Sequence, residues 1–566
     1  MKKLSTFFIA FSTFLSATQA QVSTQKIVGD STGVAGQYIY NNRTLGTDKI
    51  YLLEDIIYVQ SGATLTILPG AIIKGSGKGS IVITRGAKII ADGKKNQPIV
   101  FTSSKAVGSR AQGDWGGLVI LGKAETNGSY KNVKGEQEIE GGINDTKDNA
   151  VHGGGATPNA NDNSGILRYV RLEFGGFQFS PNNEINGLTM GSVGKGTIIE
   201  NVQVSYANDD AFEWFGGSVN CKNLISFSNV DDDFDTDNGF NGNVQFGFAL
   251  RNPERFDGAG DSNGFESDNN SGGTYLVPYT APSFSNITVV GPKATPSTSI
   301  SSFFNHAARI RRNTRTGIYN SILMGFRSAG YRMESTGTAK VAKGDSTALI
   351  LNTIIPTGGN GVIASSDSSA NANLPTGGIL SYLTASARAN DTTKTVGELM
   401  LNDPFNIQNP NPTPKSGSPV LTGAAFTDAR LTDAFFDKTV PFRGAFGATN
   451  WMDGWSNFRP DTVKYEAPIT AALADLTTKG FGAKIYPNPS NGSATVEFNI
   501  EKAMTLDIQV LDLLGRIVKN TRNQFYTEGV NLLPLELNGI AKGIYFVRFI
   551  SQTDNAQKTM TLSITE

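Results

Sequence analysis

The feature that most restricts the fold is a repeat with an offset of 22 residues. Asn201-Val202-Gln203-Val204-Ser205 returns as Asn223-Leu224-Ile225-Ser226-Phe227, and the same offset carries Asp209-Asp210 onto Asp231-Asp232 and Phe212 onto Phe234. Looser echoes, an Asn followed by alternating apolar residues, open at Asn286, Asn320 and Asn352. Units this short cannot bury their own apolar side and must stack on their neighbours. At about 3.3 Å per residue, one unit makes a closed turn of roughly 70 Å. That length suits one coil of a right-handed parallel β-helix, the architecture the repeat predicts.

Short β-branched or apolar runs punctuated by Gly or Asn recur over 21–468 and support the same reading, while long helical periodicity is missing. The competing architecture is an antiparallel sandwich or barrel, which needs hairpin dipeptides at regular intervals. Asn127-Gly128, Asn186-Gly187 and Asp257-Gly258 do not recur that way. The repeated Asn residues are expected to form an amide ladder from coil to coil, about 4.8 Å apart. Two stretches rich in Gly, Asn and Asp, 123–165 and 251–285, break the pattern and read as long projecting loops.

Residues 1–20, MKKLSTFFIAFSTFLSATQA, combine Lys2 and Lys3, a short apolar stretch and a Thr-Gln-Ala cleavage site, the layout of a secretory signal peptide. No later stretch is apolar and long enough for a transmembrane helix. With Lys+Arg at 49 and Asp+Glu at 50, the net charge of −1 offers no general attraction for nucleic acid. One cysteine excludes an internal disulfide, and two histidines argue against a histidine-built zinc site or a Ser-His-Asp hydrolase. A secreted monomer is expected.

After an Ala/Thr-rich linker at 469–479, alternating strands are expected at 494–500, 506–512, 517–519, 543–550 and 558–564, a small Ig-like antiparallel β-sandwich over 480–566. Tyr486-Pro-Asn-Pro-Ser-Asn-Gly492, Leu513-Leu-Gly-Arg-Ile-Val518 and Gly543-Ile-Tyr-Phe-Val-Arg548 stand there in order. This segment resembles the type A sorting domain of the type IX secretion system. The resemblance implies passage across the outer membrane by that machinery, then release or attachment to surface lipopolysaccharide. Gly113-Asp-Trp-Gly-Gly-Leu-Val-Ile-Leu-Gly122, Asp209-Asp-Ala-Phe-Glu-Trp-Phe-Gly-Gly217, Asp231-Asp-Asp-Phe-Asp-Thr-Asp-Asn-Gly239 and Arg443-Gly-Ala-Phe-Gly447 resemble secreted bacterial β-helix proteins, a set without a settled activity. Likeness to pectate-lyase-like proteins rests on coil architecture and acidic clusters.

Those acidic clusters are the candidate site. Asp209, Asp210 and Glu213 fall in one coil and Asp231, Asp232, Asp233, Asp235 and Asp237 in the next. Like charges about 5 Å apart cost about 3 kcal/mol per pair at an effective dielectric of 20. Either a hard cation such as calcium offsets this, or the residues form a solvated acidic edge. The EF-hand type of loop is absent, since Val244 stands where its Glu would be. Arg309, Arg311 and Arg327, with Arg332, are candidates to receive a carboxylated ligand, or else a basic strand balancing the acids. Trp214 is either a sugar platform or a packing residue. His152 and His306 receive no role, and Cys221 is expected in the core.

Three functions fit. The first is a surface β-helix protein that binds polysaccharide or another surface, its coils braced by calcium. The second is a calcium-dependent polysaccharide lyase, or a glycoside hydrolase, acting on acidic polysaccharide. The third is a metal-free structural adhesin.

Overall fold

The computed structural model describes residues 23–30, 37–180, 183–344, 350–469, 481–513, 516–551 and 557–565. The signal peptide expected over 1–20, and the 469–479 linker beyond its first residue, lie outside them. The chain forms two compact units divided between Thr470 and Ala471.

In the first unit the chain passes repeatedly through two parallel sheets, one of fifteen strands and one of eleven. Gly165–Glu173, Ile198–Ser205, Cys221–Phe227, Asn243–Leu250 and Ser283–Val290 stack in order in the larger sheet. Leu188–Gly191, Phe212–Phe215, Phe234–Asp237, Phe265–Ser267 and Arg309–Ile310 do so in the smaller. Val202 pairs with Leu224 and Phe212 with Phe234, both in parallel register, so the 22-residue repeat is one coil. This is a parallel β-helix. Its interior is a stack of like residues: Phe212 lies 5.9 Å from Phe234 at 14°, and Phe234 lies 5.2 Å from Phe265. Burying each such ring contributes about 1.5–3 kcal/mol. Beyond the last coils, helices at Thr336–Gly344 and Gly378–Thr384 add Ala339, Val341, Ile379 and Leu383 to this core.

The repeated Asn residues do a different job from the one expected. Asn201, Asn223, Asn286, Asn320 and Asn352 all have φ between +51° and +58°, in the left-handed region. Tyr169 (+50°) and Phe246 (+63°) occupy the same column, set by the pairs that flank them. What repeats is a bend in the long strand, and Asn is the non-glycine residue that accommodates it most easily. The amides of this column do not build an interior ladder. Asn286 donates to the carbonyl of Phe442 (2.8 Å) and Asn320 to that of Ala425 (3.1 Å), on a segment outside the coils.

That segment, 419–469, is a strap running back along the larger sheet towards the first coils. Gln245 donates to the Asp437 carbonyl, Gln203 to that of Asn457, and Ile469 N–H to that of Gly70. Tyr169 and Phe246 meet it edge-on or tilted, against Trp455 (5.8 Å) and Phe442 (6.2 Å). Under it lie Phe227, Phe248, Leu250 and Met324 with Phe446 and Trp455, all buried. The strap therefore converts an outward apolar sheet face into a second core.

The loops also depart from expectation. Residues 123–165 lie flat on the smaller sheet, where Ile139, Ile143 and Ala150 cover Tyr58, Val82 and Val119. The stretch 251–285 contains a coil strand, Phe265–Ser267, hidden in the sequence by its Gly, Asn and Asp neighbours.

The second unit is a seven-stranded sandwich from Gly482–Asn491 to Gln557–Ile564, with Val496, Phe498, Leu506, Val547 and Phe549 inside. The first strand runs straight through Tyr486 and both prolines, a stretch whose turn-forming residues conceal it, and Gly529–Glu536 is a further strand.

The left-handed bend makes a testable claim. Replacing Asn201 by Val is expected to lower the unfolding free energy by about 1–2 kcal/mol, and replacing it by Gly to cost less than half of that. Equilibrium urea unfolding measures both; equal losses would place the effect in the side chain instead of the backbone.

Candidate functional site

Strand alternation in the smaller sheet decides which residues reach solvent. Phe212, Trp214, Phe234, Thr236 and Phe265 point inward, so Glu213, Asp235 and Glu266 point outward in one column, followed by Arg309 and Arg332 in the next coils. A second column, just before these strands, holds Asn186, Asp210, Asp232, Asn263 and His306.

The second column is a ladder. Asp210 Oδ1 accepts the backbone N–H of Asp232 (2.7 Å), Asp232 Oδ1 that of Asn263 (2.5 Å), and Asn263 Oδ1 that of His306 (3.2 Å). One oxygen of each Asp thus staples its coil to the next. Beside it, Asp209 and Asp231 stand at the edge of a groove of about 350 Å³ that is also lined by Glu140, Glu184, Asn208 and Asp257. Glu140 comes from the loop lying on the sheet, and the Asn186 amide bridges it to Glu213.

Three overlapping triads result: Asp209, Asp210, Asp231; Asp210, Glu213, Asp235; and Asp232, Asp235, Glu266. Within each triad, one carboxylate oxygen per residue lies within 4.8 Å of the others. Asp235 Oδ1 and Asn186 Oδ1 are buried without a hydrogen-bond partner. Such a donor set, all oxygen and strongly anionic, can hold a metal ion of the hard class.

Burial and the neighbouring carboxylates make these groups harder to ionise. Burial and then Glu140 push Asp209 well above the usual carboxylate range; burial and then Asp231 do so for Asp210, and burial and then Asp232 for Asp231. Glu213 and Asp235 are raised in the same way, by burial and by Glu140 and Glu266 respectively. Asp232 is raised by burial only to about 6, because the Asn263 N–H and Arg251 stabilise its anion. Burial and Asp268 raise Asp237 to about 7, and burial and Asp232 raise Glu266 to about 8.

Five of the seven expected aspartates, Asp209, Asp210, Asp231, Asp232 and Asp235, therefore meet in the triads. Asp237 lies one alternation along the same face, beside Asp268 of the next coil. Asp233 does not belong: it sits in the bend just before strand Phe234–Asp237, outside the strand's alternation, and is buried, pairing with the fully buried Arg251 at 3.2 Å and accepting from Ser226. Arg251 also donates to the carbonyls of Val230 and Asp231, bracing the acidic turn from within.

The basic residues are not poised for a ligand in the way the sequence suggests. Arg309 is engaged by Asp261 (3.1 Å), Glu266 (3.3 Å) and Glu334 (3.2 Å), and Arg311 by Glu266 and by Asp268 at 2.8 Å. They balance the upper end of the acidic column. Arg327 is exposed on the connection before Ala329–Met333, away from the groove lining. Trp214 is no platform: it is 0% exposed, stacked between Phe212 (6.0 Å) and Phe240 (5.3 Å). Cys221 is buried in the core as expected, and His152 is a packing residue against Ser192 and Phe215 whose burial drives its pKa down to about 3.

Glu140, Glu184, Asp257 and Glu266 complete the site without having been singled out in the sequence. Glu266 follows Asp235 by a coil of 31 residues, the separation also seen between Asp232 and Asn263, so the 22-residue offset misses it.

The coil architecture agrees with the comparison to known families. A pectate-lyase like beta helix domain matches residues 36–395, more than half of the chain. The chain belongs to that family. Residues 484–563 match a secretion system C-terminal sorting domain, which occupies the second unit. This β-helix protein is therefore cargo of the type IX secretion machinery, delivered to the cell surface or released. Among the described residues no helix is long and apolar enough to cross a membrane. A comparison with curated proteins finds no match.

The raised carboxyls set a pH dependence. Asp232, Asp237 and Glu266 titrate near 6, 7 and 8 in the folded protein but near 4 when unfolded, so the folded state holds more protons across that interval. Stability of the cation-free protein should fall as pH rises from about 4 through about 8. Urea unfolding in chelator at pH 5 and pH 8 checks this; a higher midpoint at pH 8 would contradict it.

Proposed function

We propose that this exported β-helix protein binds acidic polysaccharide at the cell surface through calcium held by its outward carboxylates. The observation that carries the reading is the groove itself: among the described residues its lining brings together Glu140, Glu184, Asp209, Asp231 and Asp257 and includes no Lys or Arg. A polyanion approaching that surface meets repulsion on every side unless a cation inverts the local charge. Calcium suits the role because it takes six to eight oxygen ligands in irregular geometry, which carboxylates from a loop, a hairpin and two coils supply. Asp209, Asp210 and Asp231 would hold it, leaving positions for water and for a sugar carboxylate.

The same lining bears on catalysis. β-Elimination needs a base near the uronate ring proton, and Arg309 and Arg311 are occupied by carboxylates. Hydrolysis has firmer support: Asp209 and Asp231, whose carboxyls burial raises well above the usual range, border a groove that other carboxylates also line. A protonated and an ionised carboxyl are the pair that glycoside hydrolysis uses.

Isothermal titration of the full chain with polygalacturonate separates the readings. Affinity is expected to be at least tenfold tighter in calcium than in chelator, and that gain to be lost in Asp209→Asn/Asp231→Asn. Calcium at a hundredfold excess over its Kd should add about 2.7 kcal/mol to stability. An affinity unchanged by both chelator and the double substitution would refute the calcium bridge, and reducing ends released in chelator without unsaturated products would establish the hydrolase.

A further inference from the structure

A second cleft, of about 400 Å³, opens on the strap side, between the 404–410 loop and the strap turn at 450–459. Both walls lie beyond the residues matched by the β-helix family, so the cleft is an addition to the common fold. Its volume falls within the range of small-ligand pockets, roughly 300–1,000 Å³.

The chemistry of its lining is the reverse of the acidic groove. Asn450 and Asn457 are spent on shaping the turn: Asn450 donates to Asp453 (2.8 Å), and Asn457 accepts the Arg459 N–H (2.9 Å) and donates to Tyr465 (3.2 Å). Gln408, Asn409 and Arg459, by contrast, are exposed at the rim, and none of their side chains has a hydrogen-bond or ion-pair partner among the described residues. Phe458 lines the cleft half-buried, fixed edge-on against Phe227 at 5.0 Å. Asp453 is the one acidic residue of the lining, and Lys95, lying against Gly454, offsets its charge.

Two amides that both donate and accept, a guanidinium fork and an aromatic ring form a set with one good match. Carboxamides complement the paired donor and acceptor character of vicinal hydroxyls. The Arg fork takes a carboxylate in two parallel hydrogen bonds. A ring at the wall offers an apolar surface to the C–H side of a pyranose. We infer that this strap cleft binds a carboxylated sugar unit directly, through Arg459, Gln408 and Asn409, without a metal. The site goes beyond the calcium-bridged groove and stands or falls separately from it. The two lie on the outward sides of different sheets, so together they give a long glycan two points of attachment.

The test titrates the full chain with a tetragalacturonate in excess chelator, which silences any calcium-bridged component. Millimolar binding is expected to persist, to weaken at least tenfold in Arg459→Gln and in Gln408→Ala/Asn409→Ala, and to weaken as much when the oligomer is methyl-esterified. Arg459 is exposed and has no hydrogen-bond or ion-pair partner among the described residues, so the Arg459→Gln protein should keep the parent melting temperature, which shows that its loss of binding is not a loss of fold. Absence of binding in chelator, equal affinity of Arg459→Gln, or equal affinity for the ester would each overturn the site. Binding seen only in calcium would support the groove and refute the cleft; binding seen equally in chelator and calcium would do the opposite.

Discussion

In-register stacking of coils places equivalent residues of successive turns about 4.8 Å apart, whatever their chemistry. For apolar residues this is favourable everywhere, and the Phe212, Phe234 and Phe265 stack is the result. For carboxylates it is unfavourable everywhere, and the outward column from Glu213 to Glu266 is the exception that the fold must accommodate. The chain does so in two ways at the two ends of the column. At Glu266 and Asp268 the next coil answers with Arg309 and Arg311. At Asp209, Asp210, Glu213 and Asp231 the described residues supply no such cation, and the charge is left to protons or to an ion from outside.

The same stacking explains why the bend residues and the strap belong together. A left-handed bend repeated in each coil from Tyr169 to Asn352 tilts its side chains away from the interior, so this column becomes a rail on the outer face of the larger sheet. Asn286 and Asn320 donate their amides to the strap's backbone. Tyr169 and Phe246 accept the strain of a positive φ and contribute rings that pack on Trp455 and Phe442. The strain costs of order 1–2 kcal/mol at each of these two, which burial of an aromatic pair offsets.

What was legible in the sequence follows the same line. The offset between Asp209-Asp210 and Asp231-Asp232 could be read because those two coils have equal length, and the register confirms it. Glu266 was hidden because the next coil is longer, and Arg309 stands 43 residues beyond it. The inward direction of Trp214 was within reach: it is two residues from Phe212 on one strand, and a period of two puts both on the same face. The Asn echoes were read as a side-chain signal when they are a backbone signal, which the two aromatic residues in the same column reveal. The strap left no periodic trace, because single contacts, each with a different coil, hold it in place.

Arg251 shows why the acidic edge is built and not incidental. A solvated acidic rim would need no internal support, since charges facing water cost little. Here a guanidinium is buried inside the coil, paired with Asp233 and bound to the carbonyls of Val230 and Asp231. Burying an Arg–Asp pair is expensive and returns little net stability on its own. Placed directly behind the turn that carries Asp231 and Asp232, it fixes the backbone and lowers the cost of ionising Asp232. The fold thus holds the carboxylates together against their own repulsion and makes an anion available where a cation can reach it. That is an arrangement suited to binding, whereas a merely decorative surface would let those side chains move apart.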